Sequence, residues 1–248
     1  MICQTCKTSL PAEVNFCPDC GMSTKEVIQI DGKSPLYLII TFYIVDLIFL
    51  TTIYFVYQNG SSLTTEIVIE IIAAFIAIGF ASVDAKAIIK LYRFPKINVL
   101  AVLAMIIIPL ITGVTVYYGI EILNTTIFDE SSNTYLGYVM YPNPIFWAIF
   151  FTTITPPIFE ELVYRGFLFN QLQKITSIRV TIILTAFIFA LAHFSIISLL
   201  WIFPFGLLLG YIRHKYKTLW LGMIIHFIHN LIVLSLDYYY YDNILLDF

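Results

Sequence analysis

The sequence predicts an all-α protein: a polytopic bundle of transmembrane helices with a small metal-binding head at its N-terminal end. Three observations carry that reading. The chain is 60% hydrophobic and only 12% charged over 248 residues, with a mean hydropathy of +0.89, whereas a soluble domain of this length needs far more polar surface. Apolar runs recur along it, and a run of about 20 residues crosses a hydrocarbon core of about 30 Å. All four cysteines lie between Cys3 and Cys20, as two CxxC pairs. Nothing in the charge pattern forms the basic surface that nucleic acid requires.

The head reads "MICQTCKTSLPAEVNFCPDCG". It has neither the basic flank nor the apolar stretch of a signal peptide. Each CxxC folds into a tight knuckle that presents two thiolates, and two knuckles build the four-sulfur tetrahedron that suits Zn²⁺. Pro18 and Gly21 help the backbone turn. Residues 1–21 are therefore expected to be a zinc ribbon with a structural Zn²⁺ on Cys3, Cys6, Cys17 and Cys20. So small a module has no apolar core, so the metal supplies its folding energy. Two disulfides on an exported head are the rival, and the cytosolic placement argued below favours zinc. A polar linker, 22–34, follows.

Apolar runs at 35–57, 66–84, 97–118, 143–174, 178–194, 196–212 and 218–236 give seven expected spans. Residues 35–118 hold three N-terminal helices, 119–142 an external loop, 143–236 the core of the bundle, and 237–248 an external tail. The run 143–174 is too long for one perpendicular crossing at 1.5 Å per residue. Pro156-Pro157 is expected to break it, since proline removes a helical donor and clashes with the preceding turn. The last two loops are short, which makes the final three helices antiparallel neighbours.

Orientation follows from the cations. Lys7, Lys25 and Lys33 precede span one. Lys86, Lys90, Arg93 and Lys96 separate spans two and three. Lys174 and Arg179 flank the turn between spans four and five, and Arg213, Lys215 and Lys217 separate spans six and seven. Twelve of the 13 cations thus share one side, while loops 58–65 and 119–142 hold none. The positive-inside rule places that side, and the N-terminus, in the cytoplasm of a multi-pass cell-membrane protein. An odd span count places the C-terminus outside, with "DYYYYDN" (237–243) as an aromatic belt.

The thirteenth cation is Arg165, in "TPPIFEELVYRGF". Helical rise puts it about 13 Å and Glu160 about 21 Å below the cytoplasmic end of span four. An ionised side chain there costs roughly 2.5–3.5 kcal/mol. Glu161 and Arg165 are i, i+4 and can pair; Glu160 points about 100° away, unpaired. Such groups mark a site or form a buried packing network. Other spans favour the site: His193 lies about 22 Å deep, His226 about 12 Å and Asn230 about 18 Å by the same rise. A carboxylate with two imidazoles fits water activation, and His226 with Asn230 fits an oxyanion donor pair. The same Glu and His set also fits a metal, as in some zinc hydrolases, so a catalytic metal stays open. Asn is an uncommon zinc ligand, which favours the oxyanion role. His229, i+3 from His226, is not separated from it by periodicity.

These motifs resemble a known family. "EELVYR" matches its EExxxR motif, "FALAH" (189–193) its FxxxH, and "HFIHN" (226–230) its HxxxN. The Gly-spaced helix of "FGLLLGYIRHKYKTLWLGMIIH" and its T-x-W approach to the last motif are similar as well. The family is that of the CAAX proteases and bacteriocin-processing enzymes (CPBP, or Abi), and the resemblance covers about 142–236. It implies an intramembrane endopeptidase, with Glu160 as the glutamate that activates water and Glu161, Arg165, His193, His226 and Asn230 as the other essential positions. The family is often labelled metalloprotease, yet its chemistry need not use a metal. The implied partners are the lipid bilayer and a peptide or protein substrate, with no nucleic acid. Some members serve in bacteriocin immunity or as regulatory scaffolds, so a non-catalytic membrane protein is the alternative. A transporter using Asp46 of span one is a third reading, but no inverted repeat supports it.

Overall fold

The computed structural model describes residues 3, 6–9, 19, 34–58, 60, 62–127 and 133–246, the side chains of 196–198 and 242–246 excepted. Among these residues seven main helices follow one another: α1 (Pro35–Gln58), α2 (Leu63–Ser82), α3 (Val99–Ile127), α4 (Pro144–Ile175), α5 (Ile178–Leu191), α6 (Ile196–Tyr216) and α7 (Trp220–Leu246). No strand occurs among the described residues. The protein is an all-α, multi-pass membrane protein. Helices suit that setting because each satisfies its own backbone polar groups where no water can.

The distribution of side chains is the reverse of a soluble protein's. Ile48, Phe55, Phe75, Val99 and Leu100 stand on the outer surface, while Arg165 is the largest fully buried side chain. Apolar packing still organises the interior. Phe42, Phe80, Tyr164, Phe167 and Phe189 interlock edge to face between α1, α2, α4 and α5. Small residues bring helices close, as expected where lipid offers no hydrophobic drive. A Cβ on Gly206 of α6 would meet Ala186 of α5 at 3.0 Å, and one on Gly113 of α3 would meet Ile232 of α7 at the same distance.

Among the described residues, five helices, α1 to α4 and α7, are long and apolar enough to cross a membrane. The fifth expected span, 178–194, is shorter than anticipated. Its helix has 14 residues, about 21 Å of rise, because the chain turns at 192–195 with Phe194 left-handed at φ 48°. Two boundaries also differ. α3 continues to Ile127, well into the stretch expected as loop, and α7 continues to Leu246, so the expected tail is helical. Tyr238 and Tyr241 pack on Tyr135 rather than forming only a lipid-facing belt. Asn133 Nδ2 donates to the Asp237 carbonyl at 2.8 Å, and the Thr134 N–H donates to the Asp237 carboxylate at 2.9 Å, fastening that connection over the end of α7.

Pro156-Pro157 does not break α4. The helix widens instead, with π turns at Ile149–Ile154 and Glu161–Leu168. The first relieves the prolines' clash with the preceding turn, and other donors take the carbonyls the prolines cannot serve. Thr155 Oγ1 donates to the Phe151 carbonyl at 3.5 Å, and Asn230 Nδ2 of α7 donates to the Thr152 carbonyl at 2.9 Å.

At the opposite end of the bundle, an elbow formed by Ala85–Ile89 and Lys90–Tyr92 seats α7. Thr218 Oγ1 donates to the Leu91 carbonyl at 3.0 Å and Trp220 Nε1 to the Tyr92 carbonyl at 2.7 Å. The T-x-W step is the socket that sets the height of the helix carrying His226 and Asn230. In the cysteine head, the Lys7 N–H donates to the Cys3 carbonyl and the Cys3 N–H to the Thr8 carbonyl, both at 2.9 Å, so Cys3 and Cys6 share one tight turn. Cys17 and Cys20 of the expected ribbon lie outside the described residues.

Candidate active site

Glu161 and Arg165 pair as the i, i+4 spacing predicts, at 2.8 Å and with exposures of 1% and 0%. Arg165 also donates to the Gly206 carbonyl at 3.4 Å and lies over the Phe189 ring at 4.1 Å. Its charge is therefore met on three sides: a carboxylate, a carbonyl and an aromatic face. Glu161 is reached closely from α7 as well. A Cβ on Gly222 would come within 2.6 Å of Glu161 Oε2, so only glycine lets α7 approach here.

That approach positions His226. Its Nδ1 lies 3.5 Å from Glu161 Oε1 and its Nε2 3.8 Å from Glu160 Oε2, so the ring stands between the two adjacent glutamates. The Phe205 ring meets it edge-on at 5.5 Å. Glu160 Oε2 and His226 Nδ1 are buried without a hydrogen-bond partner, which is costly for polar groups unless a ligand or water completes them.

His193 closes the set from the end of α5. Its Nδ1 is 2.9 Å from the Phe189 carbonyl. A carbonyl only accepts, so Nδ1 carries the proton and Nε2 is left as an acceptor. Glu160, His193, His226 and Asn230 all line one cavity of about 670 Å³ between α3, α4, α6 and α7. Its remaining walls are mostly apolar, including Ile111, Val116 and Leu208. The predicted residues thus divide by task. Four face the cavity, while Glu161 and Arg165 stand behind it as a buried support.

His229, left ambiguous by spacing, lines the same cavity but is held apart: it stacks on Phe205 at 4.5 Å and shares a 3.1 Å hydrogen bond with Thr112 Oγ1. Among the described residues no three His, Cys, Asp or Glu side chains converge closely enough to hold a metal ion, so the chemistry below routes no step through one. Two further contributors, Gly222 and the Thr152 carbonyl, are not apparent from the sequence; the glycine after T-x-W-L is visible there, but its place under Glu161 is not.

The fold and site together are those of a membrane-embedded helical bundle with a glutamate and two histidines at an internal cavity. Residues 142–232 match the family model described as Type II CAAX prenyl endopeptidase Rce1-like. This segment is similar to the CPBP (CAAX protease) family. A comparison with curated proteins returned no match for the chain.

Proposed function

We propose that the protein is an endopeptidase that cuts a peptide bond within the membrane by a glutamate-activated water. The observation that carries this is the facing of Glu160 and His226 across 3.8 Å at the wall of the 670 Å³ cavity, with Glu160 free of its neighbour because Glu161 is engaged by Arg165. The Glu160 carboxylate takes a proton from water while the water oxygen bonds to the scissile carbonyl carbon. His193 Nε2 accepts from the same water and orients it. The carbonyl oxygen becomes an oxyanion, which N–H groups of His226 and Asn230 stabilise; Asn230 uses one amide hydrogen on Thr152 and keeps the other. The C–N bond then breaks as Glu160 returns the proton to the leaving amine. The cytoplasmic placement of the cysteine head and its Zn²⁺ belong to the same proposal, supported by cation placement and CxxC spacing.

The test is comparative membrane proteomics of cells carrying wild type or Glu160→Gln, with protein level and melting temperature matched. Peptides ending at a new cut site should appear with wild type alone. Equal peptide patterns would leave the alternative, a non-catalytic membrane protein, in possession.

A further inference from the structure

Behind the Glu160–His193 wall lies a second set of cavities, away from α3 and α7. One, of about 260 Å³, sits between α1, α2, α4 and the end of α5; Asp46, Glu160, Tyr164 and His193 all line it. The other, of about 310 Å³, runs from Asp46 to the turn joining α5 and α6, where Phe194 and Ser195 line it. Asp46, Leu50 and Ala192 border both. Glu160 and His193 therefore form a partition, with the 670 Å³ cavity on one side and these on the other.

The smaller cavity is walled mainly by apolar side chains but gathers four polar ones, Asp46, Glu160, Tyr164 and His193. Tyr164 Oη donates to Asp46 Oδ2 at 2.8 Å, which leaves the other carboxylate oxygen for a further donor. Four polar side chains around one space give a water the two to four partners it needs, whereas apolar cavities stay dry. Ala73, Ala77 and Ala192 line the space, and larger side chains there would fill it. A hydrolase also needs such a space: a peptide in the apolar cavity displaces water from that side, while each turnover consumes one.

We propose that these two cavities form a water path anchored by Asp46, which brings the hydrolytic water to Glu160 from behind the substrate. The proposal rests on Glu160 as the base. Asp46 is a positioning residue: it holds Tyr164 and the water, and touches no reacting atom. A plain packing bond between α1 and α4 would account for the Tyr164 contact, but not for an unfilled space that brings Asp46, Tyr164, Glu160 and His193 together.

The test is hydroxyl-radical footprinting of the full chain in lipid nanodiscs, where radicals formed from adjacent water oxidise side chains. Phe159 and Leu50, which line the path, should be oxidised several-fold more than the lipid-facing Phe75, which is 72% exposed. Glu160→Gln should keep that labelling, and Ala73→Phe should lose it. On a peptide identified by the proteomic comparison, Asp46→Leu should lower kcat by about tenfold or more with KM unchanged, and Asp46→Asn, which still accepts from Tyr164, should restore most of the rate. Labelling of Phe159 and Leu50 no greater than that of Phe75 overturns the path regardless of activity. Wild-type kcat in both Ala73→Phe and Asp46→Leu overturns its role in supply. Cleavage by Glu160→Gln would instead overturn the base assignment and leave the labelling result standing.

Discussion

Adjacent glutamates take opposite parts here because a helix turns about 100° per residue. Glu161 faces inward to Arg165 and is fully occupied; Glu160 faces the cavity and is not. The two should therefore fail differently. Arg165→Ala leaves a buried carboxylate without its partner, a loss of roughly 3–5 kcal/mol, and is expected to show as a large drop in melting temperature in detergent. Glu160→Gln keeps shape and removes only the proton acceptor, so it should melt with wild type while losing cleavage. Asn230→Ala should lower turnover by about 10²–10³, the usual loss for one oxyanion donor, measured as initial rate on a cleaved peptide. The Glu161–Arg165 pair was legible from sequence because its partners are four residues apart. Gly222 under Glu161, and Thr152 under Asn230, were not, because each contact joins two helices and only the folded bundle sets their register.

At the scale of elements, hydropathy located all seven helices but not their ends or their inner geometry. Gly119, Glu121 and Asn124 end the apolar run after residue 118, yet α3 continues through them to Ile127, because helix and apolar run need not end together; α5 stops early through the left-handed Phe194, a residue type that gives no warning. The proline pair was the sharpest misreading. Proline's missing N–H was correctly seen as a defect, but the defect is used. Under α spacing Pro156, and under π spacing Pro157, withholds the donor that Thr152 would receive, and Asn230 supplies it from α7. Replacing both prolines with alanine returns two N–H groups to α4 and closes the π turn. The Thr152 carbonyl then has a partner within its own helix, and Asn230 is no longer held. The double variant should melt no lower than wild type, since proline inside a helix is costly, yet cleave more slowly. Lower stability with normal cleavage would mean the prolines serve folding alone.

For the whole molecule, the arrangement of charge sets how the bundle sits, and the head reports the compartment. The chain should carry about one zinc when purified without chelators, as a four-thiolate site requires, and Cys17→Ser should lose it; oxidised cysteines without metal would put the head outside the cytosol. The placement of the C-terminus does not depend on whether α5 and α6 fully cross. They form a hairpin that starts and ends on the face carrying Lys174 and Lys217, so counting both as spans or neither leaves the total odd. The cation-bearing connections 83–98 and 217–219, and the turn 176–177 flanked by Lys174 and Arg179, all lie on that face, where Lys174 meets Asp84 at 3.4 Å and Leu219 meets Leu91 at 2.9 Å. Connections on the other face carry no Lys or Arg. Because the positive-inside rule counts cations in short loops, a reporter inserted near Lys90 should read as cytoplasmic and one fused after Phe248 as external. Lys90→Glu alone should not invert this, since Lys86, Arg93 and Lys96 remain on the same connection. A cytoplasmic signal after Phe248 would require one of the five long helices not to cross. α4 would be the first to test, because it combines Glu160, Glu161 and Arg165 with its two π turns.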